Sequence, residues 1–380
     1  MPGDYAVPYE GQGFIKPQTA FNTLLWPVAG DAISFNKISI TPNQEKKPRS
    51  DHRGTRSVGA TILGKRSGSY TLSGLYVPSG SLGVAPDIGE LIKACMGIET
   101  VTGGVSVLYS FIKDLETAMK GLSMHLFANH FAVSVLGAIV NDLTIKWSGE
   151  GEVEFEASGE AADVVRTGSS TVATAQTAGN ASVVVASGDG PKYSIGSQVK
   201  VDVEGGRVVT DVVGDTLTVA PVVTAAQTVG QTVVPDEPAG TTTGDAISGV
   251  SCNLQVDAAA VEMISGQFKM SNKSTLRNNL CGSAVANGFR SPEAREVMAE
   301  LELYLTKPNF KYAGDAILNN QKDLQIKLGD VPGKRCVIDM NKFEFNPFPL
   351  DSPESDEAVI SLSGVAKPTA NEDEATLLFN

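Results

Sequence analysis

The sequence predicts a mainly β protein built as two tandem β-sandwich domains, each with one short helix, with a small all-β module inserted between them. Three observations carry this. Val, Thr, Gly and Ser dominate, and the apolar runs are short and bounded by turn residues, which is how strands read. Composition shifts in the middle, where residues 166–247 hold a single aromatic, Tyr193. The segments on either side of that stretch resemble each other, element by element and in the same order.

Residues 1–29 read as an N-terminal arm. The first domain, 30–165, offers "GSYTLSGLYVP", "APDIGELIKACMG", "MHLFANHFAVSVLGAIVNDLTIKW" and "EVEFEASGEA". The clearest helix runs from Pro86 to Met96, opened by a proline whose fixed φ suits a first turn and closed by Gly97. In "GEGEVEFEASGEA", Gly149 to Ala161, a glutamate falls at every second position: Glu150, Glu152, Glu154 and Glu156. Strand side chains alternate between faces, so these four carboxylates share one face while Val153, Phe155 and Ala157 take the other. Neighbours about 7 Å apart repel by roughly 0.6 kcal/mol in water, and by less in salt. A solvated sheet edge would tolerate that repulsion, and so would a surface that must repel something negative.

The inserted module, 166–247, has linker-like flanks, "RTGSSTVATAQTAGN" and "PDEPAGTTTGDA", around the strand-like runs "ASVVVAS", "SQVKVDV", "RVVTDVV" and "DTLTVAP". Short "EGG" and "GD" turns between them predict a small antiparallel barrel or sandwich. The second domain with a C-terminal arm, 248–380, answers the first with "EVMAELELYLTKP", "DAILNNQKDLQIKLG", "RCVIDMNKFEFNPF" and "EAVISLSGVAKP", so that "ISLSGVA" stands opposite "FEASGEA".

A net charge of -13 argues against general affinity for nucleic acid or anionic membranes. Cys95, Cys252, Cys281 and Cys336 show no CxxC spacing, which predicts free thiols rather than a zinc knuckle or a disulfide framework. The start "MPGDYAVPYEGQGF" has neither a basic nor an apolar leader region, and the run "FAVSVLGAIV" is too short to cross a bilayer, so a cytosolic place of synthesis and no membrane partner are expected. His125 and His130, five apart on a strand, point to opposite faces and do not make a metal pair. His52 has no Cys or Ser motif beside it. None of GxSxG, GxxxxGK[ST] or HExxH occurs, and a non-enzyme without cofactor or metal is expected.

The order of these elements, with "RGTRSVGATILGKRSGSYTLSGLYVPSG", "APDIGELIKACMG" and the closing "WSGEGEVEFEASGEAADV", resembles the major tail tube protein of long-tailed, siphovirus-type bacteriophages, in the long form whose tube domain is duplicated. The resemblance covers about 30–165 and 248–368. It implies a virion protein made in the cytoplasm of the bacterial host, which self-assembles into stacked rings through which the genome passes without specific binding. With two tube domains per chain it implies a trimeric, pseudo-hexameric ring. It further implies contact with tape measure, tail terminator and distal tail proteins. On this reading Glu150, Glu152, Glu154, Glu156 and, in the second half, Glu357 are candidates for an acidic bore, because a basic wall would hold duplex DNA through counterion release. On the strand of "EVMAELELY", Glu296, Glu300 and Glu302 also share one side.

Positive charge concentrates in "EKKPRSDHRGTRSVGATILGKRSG", where Lys46, Lys47, Arg49, Arg53, Arg56, Lys65 and Arg66 face only Glu45 and Asp51. A nucleic-acid patch would add stacking aromatics, and none precedes Tyr70. The resemblance implies ring-to-ring contact for this loop. A solvated loop is its plain alternative. For the whole chain the alternative is a β-rich, adhesin-like surface binding protein with the central module as its recognition domain.

Overall fold

A computed structural model describes residues 11–48, 60–128, 130–240, 242, 244–349, 357–370 and 372–380. The protein is mainly β, and every named strand pair in it is antiparallel. Up to residue 167 the strands are β1 (Gly11–Pro17), β2 (Ala32–Ile33), β3 (Lys37–Pro48), β4 (Thr61–Leu75), β5 (Gly97–Thr102), β6 (Ser106–Phe111), β7 (Leu122–Ala128), β8 (Phe131–Ala138), β9 (Asp142–Ser148), β10 (Glu154–Ala161) and β11 (Asp163–Thr167). Helices α1 (Gly89–Met96) and α2 (Leu115–Ala118) lie among them. Helix α1 begins three residues inside the expected start, because Pro86 serves the preceding turn: its carbonyl accepts from Gly89 N–H at 2.9 Å. Gly97 ends it at φ 102°, a conformation that costs glycine little. The segment expected as an arm supplies β1, laid along β7 from Gly11 onward.

The middle of the chain forms its own six-stranded sheet from β12 (Ser170–Thr171), β13 (Asn180–Val184), β14 (Gln198–Val201), β15 (Glu204–Val213), β16 (Thr216–Val223) and β17 (Thr232–Pro235). Its core is a valine cluster with Leu217 and the module's one aromatic, Tyr193, whose hydroxyl donates to Val233 O at 2.9 Å. A buried tyrosine must place its hydroxyl somewhere, and a strand carbonyl serves.

The last part holds β18 (Asn253–Val256), β19 (Ala259–Val261), β20 (Met263–Ser271), β21 (Thr275–Leu276), β22 (Phe289–Arg290), β23 (Glu296–Tyr304), α3 (Lys311–Leu318), β24 (Lys322–Leu328), β25 (Cys336–Phe345), β26 (Val359–Ala366) and β27 (Thr376–Phe379). Its pairings repeat those of the first part. β1·β2 and β1·β7 recur as β18·β19 and β18·β24; β7·β8 and β8·β11 recur as β24·β25 and β25·β27. β3·β4 and β4·β10, on a separate sheet in the first part, recur as β20·β23 and β23·β26, which in the second part β25 joins to the first set by pairing with β26. Even single bonds match. Asn141 N–H donates to Ser158 O at 2.9 Å, and Asn346 N–H donates to Ser363 O at 2.8 Å. The helices correspond as α1 and α3, but α3 starts ahead of "DAILNNQKDLQIKLG", and "KDLQIKL" is β24, the counterpart of β7 rather than part of the helical stretch.

The two parts do not stand apart. β9 pairs with β20 along its whole length, Ser148 opposite Ser265 through Asp142 opposite Ser271. A single sheet therefore runs β3-β4-β10-β9-β20-β23-β26 across the junction. Beneath it lies one shared apolar cluster that includes Leu72, Ile145, Phe155, Phe268, Leu301 and Leu362. A second ladder bridges the parts at the other layer, where the β5–β6 hairpin that follows α1 sets β6 against β27.

Candidate functional site

The face of the joined sheet that points away from the core is where the charged strand residues gather. Alternation places them there: in β10, Phe155 and Ala157 are buried while Glu154 and Glu156 are exposed, and in β23, Leu301 and Leu303 are buried while Glu300 and Glu302 are exposed. Register then aligns the strands. One row runs Glu154, Lys146, Gln267, Glu300, Ser363, and the next runs Glu156, Thr144, Lys269, Met298, Val365. Acidic residues from both parts of the chain thus share one continuous face.

The charges on it are partly compensated. Lys146 Nζ lies 2.8 Å from Glu156 Oε2, and Lys269 Nζ lies 3.6 Å from Asp142 Oδ1. Gln267 donates to Glu300 at 2.6 Å and Ser265 donates to Glu302 at 2.7 Å. Glu296 pairs with Lys273 at 3.2 Å. These partners are half-exposed, so each pair is worth at most about 1 kcal/mol. Their effect is to relieve the repulsion between neighbouring carboxylates, leaving a face that is acidic in balance.

Of the glutamates singled out in sequence, all four of Glu150, Glu152, Glu154 and Glu156 are exposed, opposite buried Val153, Phe155 and Ala157. Only Glu154 and Glu156 lie in β10. Glu150 sits in the turn after β9, and Glu152 forms an isolated bridge with Ser248. Glu357 is exposed two residues before β26. Asp142, Lys146 and Lys269 were not singled out, although "DLTIKWS" carries the same alternation as "EVEFEAS" and would have placed the first two on the outer side.

The basic segment divides. Lys46 and Lys47 lie exposed near the end of β3, with Lys47 Nζ 3.0 Å from Glu45. Lys65 and Arg66 are tied down: Lys65 Nζ donates to Leu280 O at 2.6 Å, and Arg66 meets Asp163 at 2.8 Å while its N–H reaches Ala284 O. Burial pushes the Asp163 carboxyl pKa up, opposed by Val164 N–H and by Arg66. The β3–β4 hairpin is thereby anchored on the 280–284 turn of the second part. Arg49, Arg53 and Arg56, with His52, lie outside the described residues.

Elsewhere the chemistry-bearing side chains serve the fold. His125 is buried between Ser134 Oγ at 2.8 Å and Leu25 O at 2.9 Å. Cys95, Cys252, Cys281 and Cys336 are free thiols, and burial pushes Cys95 and Cys336 up to about 12. Among the described residues no group of three or more His, Cys, Asp or Glu is set to hold a metal ion, and no helix is long and apolar enough to cross a membrane.

Residues 10–219, more than half of the chain, match a family model described as phage tail tube protein. No curated protein matches the chain.

Proposed function

Because the chain belongs to the phage tail tube protein family, it is a structural component of the viral tail that associates with itself into a tube, and we propose that each chain supplies two tube domains, so that three chains close one pseudo-hexameric ring. The first domain takes in the strands up to β11, the second those from β18 onward, and 166–247 is a module inserted between them. Rings stack along the axis, and the acidic face lines the bore. The observation that carries this reading is the β9·β20 ladder: it joins the two parts edge to edge and makes their carboxylates one surface. A head-to-tail contact of this kind, repeated with a rotation that closes, generates a ring.

A bore of this character suits a conduit. Duplex DNA presents one phosphate per roughly 1.7 Å of axis, and each Lys–phosphate contact would gain affinity by releasing a counterion. A wall acidic in balance, with Lys146 and Lys269 held in pairs with carboxylates, offers few such contacts, and DNA slides past without being bound. The exposed end of the β3–β4 hairpin, with Lys46 and Lys47, reaches an acidic neighbour in the next ring. Tape measure, terminator and distal tail proteins are the partners expected at the tube's core and ends.

Electron microscopy of the purified chain tests this directly. Hollow tubes are expected, with a six-fold outline in end-on views and a mass of three chains per ring. Six chains per ring would overturn the two-domain reading, and a protein that stays monomeric at every concentration would overturn the tube.

A further inference from the structure

If the ring has three chains, half of its junctions lie inside chains and half between them, and the inner junction is on view. It is formed by the far edge of β9 and the far edge of β20. The repeat identifies the counterparts of both. β20 corresponds to β3, which pairs with β4 on one side and, among the described residues, has no strand on the other. β9 begins directly after Asn141, and Asn141 corresponds to Asn346 through their matching bonds to Ser158 O and Ser363 O. After Asn346 the chain runs Pro347, Phe348 and Pro349, in the places of Asp142, Leu143 and Thr144. On the side away from β26, no strand lies beside this stretch among the described residues.

Two details agree with an absent neighbour. Leu143 is fully buried beneath the junction, whereas Phe348, in its place, packs on the core only in part. Ile38 and Ile40 of β3 are half-buried, while Phe268, which matches Ile40 and has Ile145 opposite it, is fully buried. The prolines fall where they do least harm. In the inner junction Asn272 N–H donates to Asn141 O and Gly149 N–H donates to Ile264 O, so the odd-numbered backbone groups of β9 face β20 and the even-numbered ones face β10. Pro347 and Pro349 occupy even-type places, so the N–H groups they lack would have faced their own β26. Phe348 keeps the N–H that faces outward.

We propose that the β9·β20 junction recurs between chains: the stretch Asn346–Pro349 of one copy lies antiparallel along the open edge of β3 of the next, with Pro349 opposite Thr41 and Pro347 opposite Asn43. This rests on the ring reading above and adds the partner segment and its register. Phe348 then covers Ile40 and Pro42 as Leu143 covers Phe268 and Met270. Pro42 accepts the Phe348 N–H but offers none back, so this ladder is shorter in hydrogen bonds than the inner one.

Chains with one added cysteine test it. Thr41→Cys and Pro349→Cys are made separately with the exposed Cys281 and the half-buried Cys252 replaced (Cys281→Ser, Cys252→Ser), leaving only the buried Cys95 and Cys336 beside the added thiol, then mixed, assembled and oxidised. Both positions are exposed in the single chain, and directly opposite residues of this non-hydrogen-bonded type sit about 4.5 Å apart at Cα, within disulfide reach. A covalent dimer is expected from this mixture, at least tenfold more than from Asn43→Cys mixed with Pro349→Cys, which is two residues out of register. Tubes in the micrographs without the Thr41–Pro349 dimer, or with equal yields from both mixtures, would overturn the register while leaving the tube intact. A parent chain that never assembles would sink both.

Discussion

At the scale of single residues, the repeat shows one position solved twice, buried in the first part and half-buried in the second. His125 of β7 bonds Ser134 of β8, and at the matching place in the second part Gln325 donates to Asp339 at 2.6 Å. Leu25 O can only accept, so His125 Nε2 carries the proton and Nδ1 accepts from Ser134. Burial pushes the His125 pKa down to about 4. The unfolded chain takes up that proton near 6.5, so the stability held by neutral His125 is complete above that value and is lost as pH falls toward 4, by up to roughly 3 kcal/mol. Asp87 acts in the opposite direction, because burial raises its pKa to about 6 and the folded chain favours its acid form on acidification. His125→Gln should therefore remove the His share of the slope and leave that of Asp87. Urea midpoints at pH 7 and pH 4.5 measure it, and an unchanged difference between the two would exonerate His125. A second residue-scale prediction concerns Gly159 and Gly364, the glycines of "FEASGEA" and "ISLSGVA". A Cβ on Gly159 would sit 1.8 Å from Ile139 O, and one on Gly364 would sit 2.3 Å from Glu344 O. Gly159→Ala should cost about 1–3 kcal/mol, seen as a lower melting temperature. If the acidic face lines the bore, Glu152→Lys with Glu154→Lys and Glu156→Lys should leave tubes intact but slow DNA ejection, most of all at low salt. Normal ejection at every ionic strength would remove these residues from the bore, and loss of tubes would place them in a contact.

At the scale of elements, the inserted module and the β5–β6 hairpin occupy comparable positions. The outer edge of β27 is taken by β6. The matching edge, on β11, is met by the module instead: Ser194 N–H donates to Arg166 O at 3.0 Å, and Arg166 N–H donates to Ser194 Oγ at 3.3 Å. An open strand edge invites unwanted pairing, and this contact blocks one. Because the module has its own core, replacing 172–243 by a short linker should leave tube assembly intact. Folded subunits that no longer form tubes would show instead that the module carries an interface. The β3–β4 hairpin is the other exposed element. Lys46→Glu with Lys47→Glu should yield folded subunits or single rings that stack poorly, since the change reverses the charge offered to an acidic neighbour, and sedimentation at several salt concentrations would show it. Stacking unaffected by this change would leave the hairpin as an ordinary solvated loop.

At the scale of the whole molecule, the proposed ring of three chains would have two unequal kinds of junction. Inside the chain, β9·β20 is backed by a second ladder, β6·β27, and by a shared apolar cluster. The second part has no hairpin between α3 and β24, so nothing equivalent reaches out from it toward the next copy. Tubes brought apart by mild denaturant should therefore release whole folded chains before any chain opens between its two parts. Native mass spectrometry with hydrogen exchange checks this: protection at β9 and β20 should survive disassembly, and its simultaneous loss would show that the junctions are alike.

The sequence by itself determined what depends on local pattern. Short β-branched runs predicted strands, Pro86 and Gly97 framed α1, the loss of aromatics marked the middle module, and alternation in "EVEFEAS" put Glu154 and Glu156 on the side opposite Phe155. Only the tertiary structure decided which strands are neighbours. β9 and β20 lie more than a hundred residues apart in the chain, and they pair through backbone N–H and C=O groups that nearly every residue carries alike, so no local signal names the partner. That pairing is what brings Lys146 beside Gln267 and Glu300, adds Asp142 and Lys269 to the acidic face, and turns two lines of glutamates into one surface. The same holds for the basic segment, where sequence showed seven like charges and the fold alone tied Lys65 and Arg66 to their own chain, because their partners, Leu280 O and Asp163, are brought near by packing rather than by spacing.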